Sequence, residues 1–166
     1  MSGEGLEGIV AGKTAISSVG KEGAGLHYRG YSVEDLAAKS EFEEVAYLLL
    51  YGQLPTTAEV ENYKQLIVSQ RQLPSALCDV LEKMPLSAHP MDVLRTTCSM
   101  LGTLEPETSF DMQYQITNRL LSLFPGSLCY WYHFQKNGVR IQTGSDENTL
   151  AGYFLNLLHQ KEVDPL

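Results

Sequence analysis

Residues Glu43–Tyr51 read Glu-Glu-Val-Ala-Tyr-Leu-Leu-Leu-Tyr, and after the first turn nearly every side of that segment is apolar. A helix that is apolar all round has no face to give to water, so it belongs in the core of a helical domain. Its flanks agree with a helix. Ser40-Glu41-Phe42-Glu43 reads as a capping box, in which the hydroxyl takes the N3 amide and the acid reaches back. Gly52 reads as the C′ residue, and Pro55 stands just beyond it.

The same punctuation recurs along the chain. Ser32-Val33-Glu34-Asp35 is a capping box ahead of Leu36 and Ala37, which face inward. Thr56-Thr57-Ala58-Glu59 opens another helix, with Tyr63, Leu66 and Ile67 as its buried stripe and Pro74 closing it. Ser75–Leu81 is a shorter helix that ends before Pro85. At His89-Pro90 the next begins: proline suits the first helical position, where its absent amide costs nothing. His89 caps or packs against that start, and Arg95 inside the helix calls for a structural partner. The helix runs through Cys98 and Met100 to a stop near Gly102. Residues 105–110 form a loop, and a long helical segment spans 111–136, kinked or divided at Pro125-Gly126. Its run Tyr130-Trp131-Tyr132-His133-Phe134 is the densest aromatic cluster, a core feature with a dimer interface as the alternative. The last helix covers 148–161, with Leu150, Phe154, Leu157 and Leu158 at i, i+4, i+7 and i+8.

Residues 6–31 have a different texture. Gly8–Ala11 and Thr14–Val19 are short β-branched runs, separated by Gly12-Lys13. Gly20, Gly23 and Gly25 make a turn ahead of Leu26–Arg29. A ribbon of two or three strands results, too small to fold by itself, so it lies on something else. Gly30 lets the chain turn sharply into the first helix, and Arg29 beside it has a structural role. The fold class is mostly α, with a β ribbon at 1–31 and a helical domain over 32–166.

Several function classes are excluded by what the chain lacks. The 166 residues carry a net charge of −8 with no basic run, which argues against nucleic acid. No apolar run approaches ~18 residues, which argues against a membrane span. The first residues are acidic where a signal peptide needs base, so a cytoplasmic location is expected. Cys78, Cys98 and Cys129 are widely spaced and fit buried free thiols, with Cys98 as core. His27, His89, His133 and His159 show no metal-ligand spacing. Gly3-x-Gly5-x-x-Gly8 has the letters of a dinucleotide loop without the strand before it or the helix after it. No Gly-x-Ser-x-Gly elbow occurs. Charged residues are sparse at 19% against 43% hydrophobic, a hint of surface that a partner or further chain covers.

Taken in order, these segments resemble the citrate synthase family, most closely its 2-methylcitrate synthase branch. Gly5-Leu6-Glu7-Gly8-Ile9-Val10-Ala11, Tyr28-Arg29-Gly30-Tyr31 and Glu41–Leu49 follow at family-like spacing. Leu54-Pro55-Thr56, Leu73-Pro74 and His89-Pro90-Met91-Asp92-Val93-Leu94-Arg95-Thr96 continue the pattern, the last being the most specific. Tyr130-Trp131-Tyr132-His133 followed by Asn137-Gly138 leans toward the methylcitrate branch.

The resemblance implies part of the large helical domain of a homodimeric, all-α enzyme. The reaction it implies is condensation of an acyl-CoA with oxaloacetate, followed by thioester hydrolysis. In that scheme a carboxylate takes the α-proton while a histidine stabilises the enolate, and a second histidine assists at the ketone. Propionyl-CoA is the acyl donor expected in the methylcitrate branch, and acetyl-CoA the alternative. Both, like oxaloacetate, are substrates, and no cofactor is implied. The family motifs His-Gly-x-Ala-Asn and Gly-x-Gly-His-x-x-Tyr do not occur here, so no catalytic residue is assigned and the chain is expected to be inactive alone. The resemblance gives one substrate-binding candidate, Arg71, whose alternative is a solvated cation at a helix end. A different class of reading is a stand-alone helical module that keeps the scaffold and binds or dimerises without catalysis.

Overall fold

The computed structural model describes residues 12–19 and 25–161, so the expected strand at Gly8–Ala11 and the glycines Gly20 and Gly23 lie outside the described residues. The β-branched run yields β1 (Ser17–Val19), followed by β2 (Leu26–Tyr28) and β3 (Tyr31–Ser32). They form an antiparallel sheet in the order β1-β2-β3, with Tyr28 opposite both Ser17 and Tyr31. Two residues, Arg29 and Gly30, connect β2 to β3, and both have positive φ, 49° and 92°. Two-residue hairpins favour that geometry because its twist matches the strands. Gly30 adopts it freely, whereas Arg29 carries a side-chain penalty. Its bonds offset the penalty: the amide donates to the Ile16 carbonyl at 2.8 Å and Nη2 to the Leu49 carbonyl at 2.9 Å.

Seven helices follow among the described residues: α1 (Val33–Lys39), α2 (Phe42–Tyr51), α3 (Thr57–Ser69), α4 (Ser75–Leu81), α5 (Pro90–Leu104), α6 (Gln113–Asn137) and α7 (Leu150–His159). A 3-10 turn at Phe110–Met112 leads into α6. The chain forms two compact units, Met1–Pro55 and Thr56–Leu166. In the first, α1 packs on β2 and β3, the support that so small a sheet needs. In the second, α6 is central and packs against α3, α4, α5 and α7. Leu77, Leu81, Val93, Leu123 and Tyr153 are fully buried there.

Helix starts follow the expected chemistry, with adjustments. Ser32 Oγ accepts from the Asp35 amide at 3.1 Å, but the Asp35 carboxylate binds Lys39 Nζ at 2.6 Å instead of reaching back. The second box is shifted by one residue. Ser40 ends α1, and Glu44 accepts from the Glu41 amide at 2.7 Å. At α3 the box is complete, with Glu59 Oε2 accepting from the Thr56 amide at 2.7 Å and Thr56 Oγ1 from the Glu59 amide at 3.3 Å.

Three burial expectations are corrected. Helix α2 buries Glu43 and Leu48, while Val45, Ala46, Tyr47, Leu49 and Leu50 are half-buried and Phe42 is 56% exposed. Its apolar circumference is larger than the face this chain covers. Leu66 is exposed because the buried stripe of α3 is the narrower pair Tyr63 and Ile67. In α7 the buried residues are Leu150, Tyr153 and Leu157, with Phe154 and Leu158 half-buried.

Helix α6 continues through Pro125 without division. A mid-helix proline costs about 3 kcal/mol. Burial of Leu123, Cys129, Tyr130 and Trp131 around it outweighs that, at roughly 1.5–3 kcal/mol for each large apolar side chain. Helix α5 ends at Leu104, near the expected stop at Gly102.

Candidate functional site

Arg71 follows the C-terminal end of α3 and is 1% exposed, so it is not a solvated helix-end cation. Its Nη1 donates to the Ser145 carbonyl at 3.0 Å and the Glu147 carbonyl at 2.5 Å. The guanidinium carbon lies 4.0 Å from the centroid of the Tyr153 ring. Planar, weakly hydrated guanidinium suits such stacking better than an ammonium does. Tyr153 is fully buried, and its hydroxyl donates to the Thr143 carbonyl at 2.7 Å. Arg71 therefore clamps the loop before α7. Nothing local announced this arrangement, because its partners lie 74 and 76 residues away in sequence.

A groove of about 390 Å³ opens beside α5 and α6, floored by Leu101, Ile116 and Leu120. Arg119 and Glu105 line it as a bidentate pair, with Nη2–Oε1 at 2.8 Å and Nε–Oε2 at 3.1 Å. Arg119 Nη1 also donates to the Gln70 carbonyl at 2.5 Å. This guanidinium too is engaged with its own protein. Cys98, expected in the core, is exposed and lines the same groove. Of the three thiols only Cys129 is buried, and Cys78 is half-buried. The Thr and Met neighbours that suggested burial do not decide it, since the inward face of α5 is Val93, Thr97 and Leu101.

The third polar cluster joins α4, α6 and the segment after α6. Glu82 accepts from Arg140 Nε at 2.7 Å and Nη2 at 2.9 Å, and from the Tyr130 hydroxyl at 2.7 Å. The Arg140 bonds first, and the Tyr130 bond second, hold its carboxyl down to about 2. Burial, reinforced by Glu82, pushes the Tyr130 phenol well above its usual range. Burial also lifts the Tyr153 phenol and raises the Cys129 thiol to about 12.

The remaining candidates take structural places. His89 is the N-cap of α5, its Nδ1 accepting from the Met91 amide at 3.2 Å. Arg95 is exposed and pairs with Asp92 at 3.1 Å, a surface pair of little energetic weight. Tyr130, Trp131 and His133 are buried, with His133 Nε2 2.9 Å from the Leu157 carbonyl. Among the described residues no group of three His, Cys, Asp or Glu is placed to hold a metal ion, and no helix is long and apolar enough to cross a membrane.

General acid–base work near neutral pH needs groups poised near 7. The strongly displaced groups here move the other way, the carboxyl down and the phenols and thiol up. Such an arrangement braces helices.

Known proteins resemble the chain throughout its length. The family model described as "Citrate synthase, C-terminal domain" matches residues 5–166. The 2-methylcitrate synthase of Shewanella oneidensis is 56% identical over 166 residues, covering 100% of this chain and 44% of that protein. 2-Methylcitrate synthase 1 of Corynebacterium glutamicum is 44% identical over 158 residues, 93% of this chain and 41% of that one. The crystal structure of citrate synthase from Thermotoga maritima superposes with a TM-score of 0.82 at 31% identity, over 99% of this chain and 43% of that one. The chain spans a little over two fifths of the length of these relatives. With helical architecture, family model and relatives in agreement, the chain belongs to the citrate synthase family.

Proposed function

We propose that this chain is the N-terminal, scaffold part of a 2-methylcitrate synthase, which condenses propionyl-CoA with oxaloacetate and water to give 2-methylcitrate and CoA. The observation that carries the reading is 56% identity to the Shewanella oneidensis 2-methylcitrate synthase across the whole chain. Proton abstraction and enolate stabilisation belong in this reading to histidines and an aspartate outside these residues. What this chain supplies is a rigid frame: helices braced by buried guanidinium and phenol contacts, against which a reacting geometry can be held. Arg71 enters through the loop that it clamps. Homodimeric assembly and a cytoplasmic location are part of the same reading.

The test has two arms. The 166-residue protein mixed with propionyl-CoA and oxaloacetate should release no CoA thiol. A chimera that joins it to the rest of the Shewanella oneidensis enzyme should release CoA, faster with propionyl-CoA than with acetyl-CoA. Turnover by the short chain alone refutes the scaffold assignment. A folded chimera that prefers acetyl-CoA moves the reading to citrate synthase, and a folded chimera with no activity removes both.

A further inference from the structure

Between α6 and α7 runs a strap, Gly138–Thr149, that is neither helix nor strand. Its ends are tied by backbone bonds, Gly138 N–H to the Phe134 carbonyl at 2.8 Å and Tyr153 N–H to the Thr149 carbonyl at 3.0 Å. Its middle is tied differently. The carbonyls of Thr143, Ser145 and Glu147, every second residue, accept from side chains: the first from the Tyr153 hydroxyl, the other two from Arg71. Arg71 and Tyr153 are stacked on each other, so the three bonds share one joint. The far side of that joint is α6, where Gly126 leaves room for the phenol: a Cβ there would stand 2.7 Å from the Tyr153 oxygen. Glu147 Oε1 in turn accepts from the Thr149 amide at 3.1 Å and hydroxyl at 3.0 Å, and Thr149 caps α7. The start of α7 is thus set by the strap, and the strap by Arg71 and Tyr153 at its middle and by Arg140, paired with Glu82, near its start.

We infer that the strap and α7, residues 138–159, form a latched unit that opens as one piece, with Arg71 and Tyr153 as the latch, while α3–α6 stay folded. The strap and α7 bury Ile141, Leu150, Tyr153 and Leu157, but α7 packs on one helix, α6, and a unit packed on one neighbour opens at lower cost than helices packed on several, which open only with the whole. α6 is of the second kind, packing on four helices.

Amide hydrogen exchange on the intact 166-residue chain reads this directly. Tyr153→Phe keeps the ring under Arg71 and removes the hydroxyl; Arg71→Lys keeps the charge and removes the planar guanidinium with its stack. Each should speed exchange in peptides from 139–159 by about 5- to 30-fold, the loss of one or two net hydrogen bonds, with peptides from α5 and from 113–133 unchanged. Leu123→Ala, which empties a fully buried position on α6, should speed both regions together. Equal acceleration of α5, α6 and 139–159 by the two latch variants overturns the inference, as does unchanged exchange in 139–159.

Discussion

Gly126→Ala is the smallest change that tests the packing around the strap. An added Cβ would meet the Tyr153 hydroxyl at 2.7 Å, with Thr143 Cβ at 3.4 Å. The first distance is a clash, and Tyr153 is fully buried with its oxygen bonded to the Thr143 carbonyl. Overpacking of this kind costs ~1–3 kcal/mol, and displacing the phenol forfeits a hydrogen bond of ~1 kcal/mol. Against this, alanine in a helix interior gains ~0.8–1 kcal/mol over glycine. The balance is a destabilisation of about 2 kcal/mol, or a fall in Tm of about 4–8 °C at this chain length. Urea and thermal unfolding followed by Trp131 fluorescence measure it, since that tryptophan is buried on the same helix. Gly102→Ala on α5 has nothing within 4 Å and should instead stabilise, by roughly 0.5–1 kcal/mol. In a Tyr153→Phe background the close contact vanishes, so most of the Gly126→Ala cost should vanish too, a coupling of ~1–2 kcal/mol. A Gly126→Ala protein as stable as wild type, or a cycle without coupling, refutes the reasoning.

Other expectations follow from the caps, the thiols and the charges. Thr56→Ala removes the Oγ1 cap of α3 and should lower stability by ~1 kcal/mol in urea melts. Native protein should show one fast thiol, Cys98, with a colorimetric disulfide reagent at pH 8; Cys78 should follow slowly and Cys129 should react only in urea. Labelling of Cys129 as fast as Cys98 would contradict the burial that raises its thiol to about 12. The Glu82 carboxyl has its folded-state pKa lowered from about 4.5 to about 2, so its stabilisation is present above pH ~4.5 and is lost as pH falls toward 2. Glu82→Gln should flatten the dependence of Tm on pH in that window; an unchanged slope assigns acid sensitivity elsewhere. Phenols raised by burial act at the other end, and stability should decline as pH climbs above 10.

Local chemistry made the helices legible, and long-range chemistry was hidden. Pro90 at N1, the Thr56–Glu59 box and Gly138 at the end of α6 act within a few residues of themselves, so a reader of the chain finds them. The α2 box slipped by one residue because Glu41 can cap as Ser40 would, and Ser40 was needed to end α1. Pro125 misled because helix propensity is local while the compensation is tertiary, spread over four packed neighbours. Cys98 and Leu66 were misplaced for a related reason: at their spacing either of two helix faces fits the apolar pattern, and contact with α6 selects one. Of the polar sites, only Arg71 was singled out in advance, and through resemblance. Arg119 and the Glu82–Tyr130–Arg140 cluster carry no local signal, since their partners are 14 to 58 residues away.

Those three arginines share a design. Arg71 ties the end of α3 to the strap, Arg119 ties α6 to the turn after α3 and to Glu105 just past α5, and Arg140 ties the strap to Glu82 just past α4. Each joins segments distant in sequence; Arg119 and Arg140 do so with two or more nitrogens of one rigid fork, and Arg71 with a single nitrogen turned to two carbonyls. Frames of this kind matter to a condensing enzyme because a misplacement of ~1 Å can cost ~100-fold in rate, even when the disturbed residue is far from the reacting atoms. The scaffold reading thus assigns work to these residues through the segments they join. Replacing a brace should lower turnover of the complete enzyme in proportion to how far its segment moves, with acyl-donor preference unchanged.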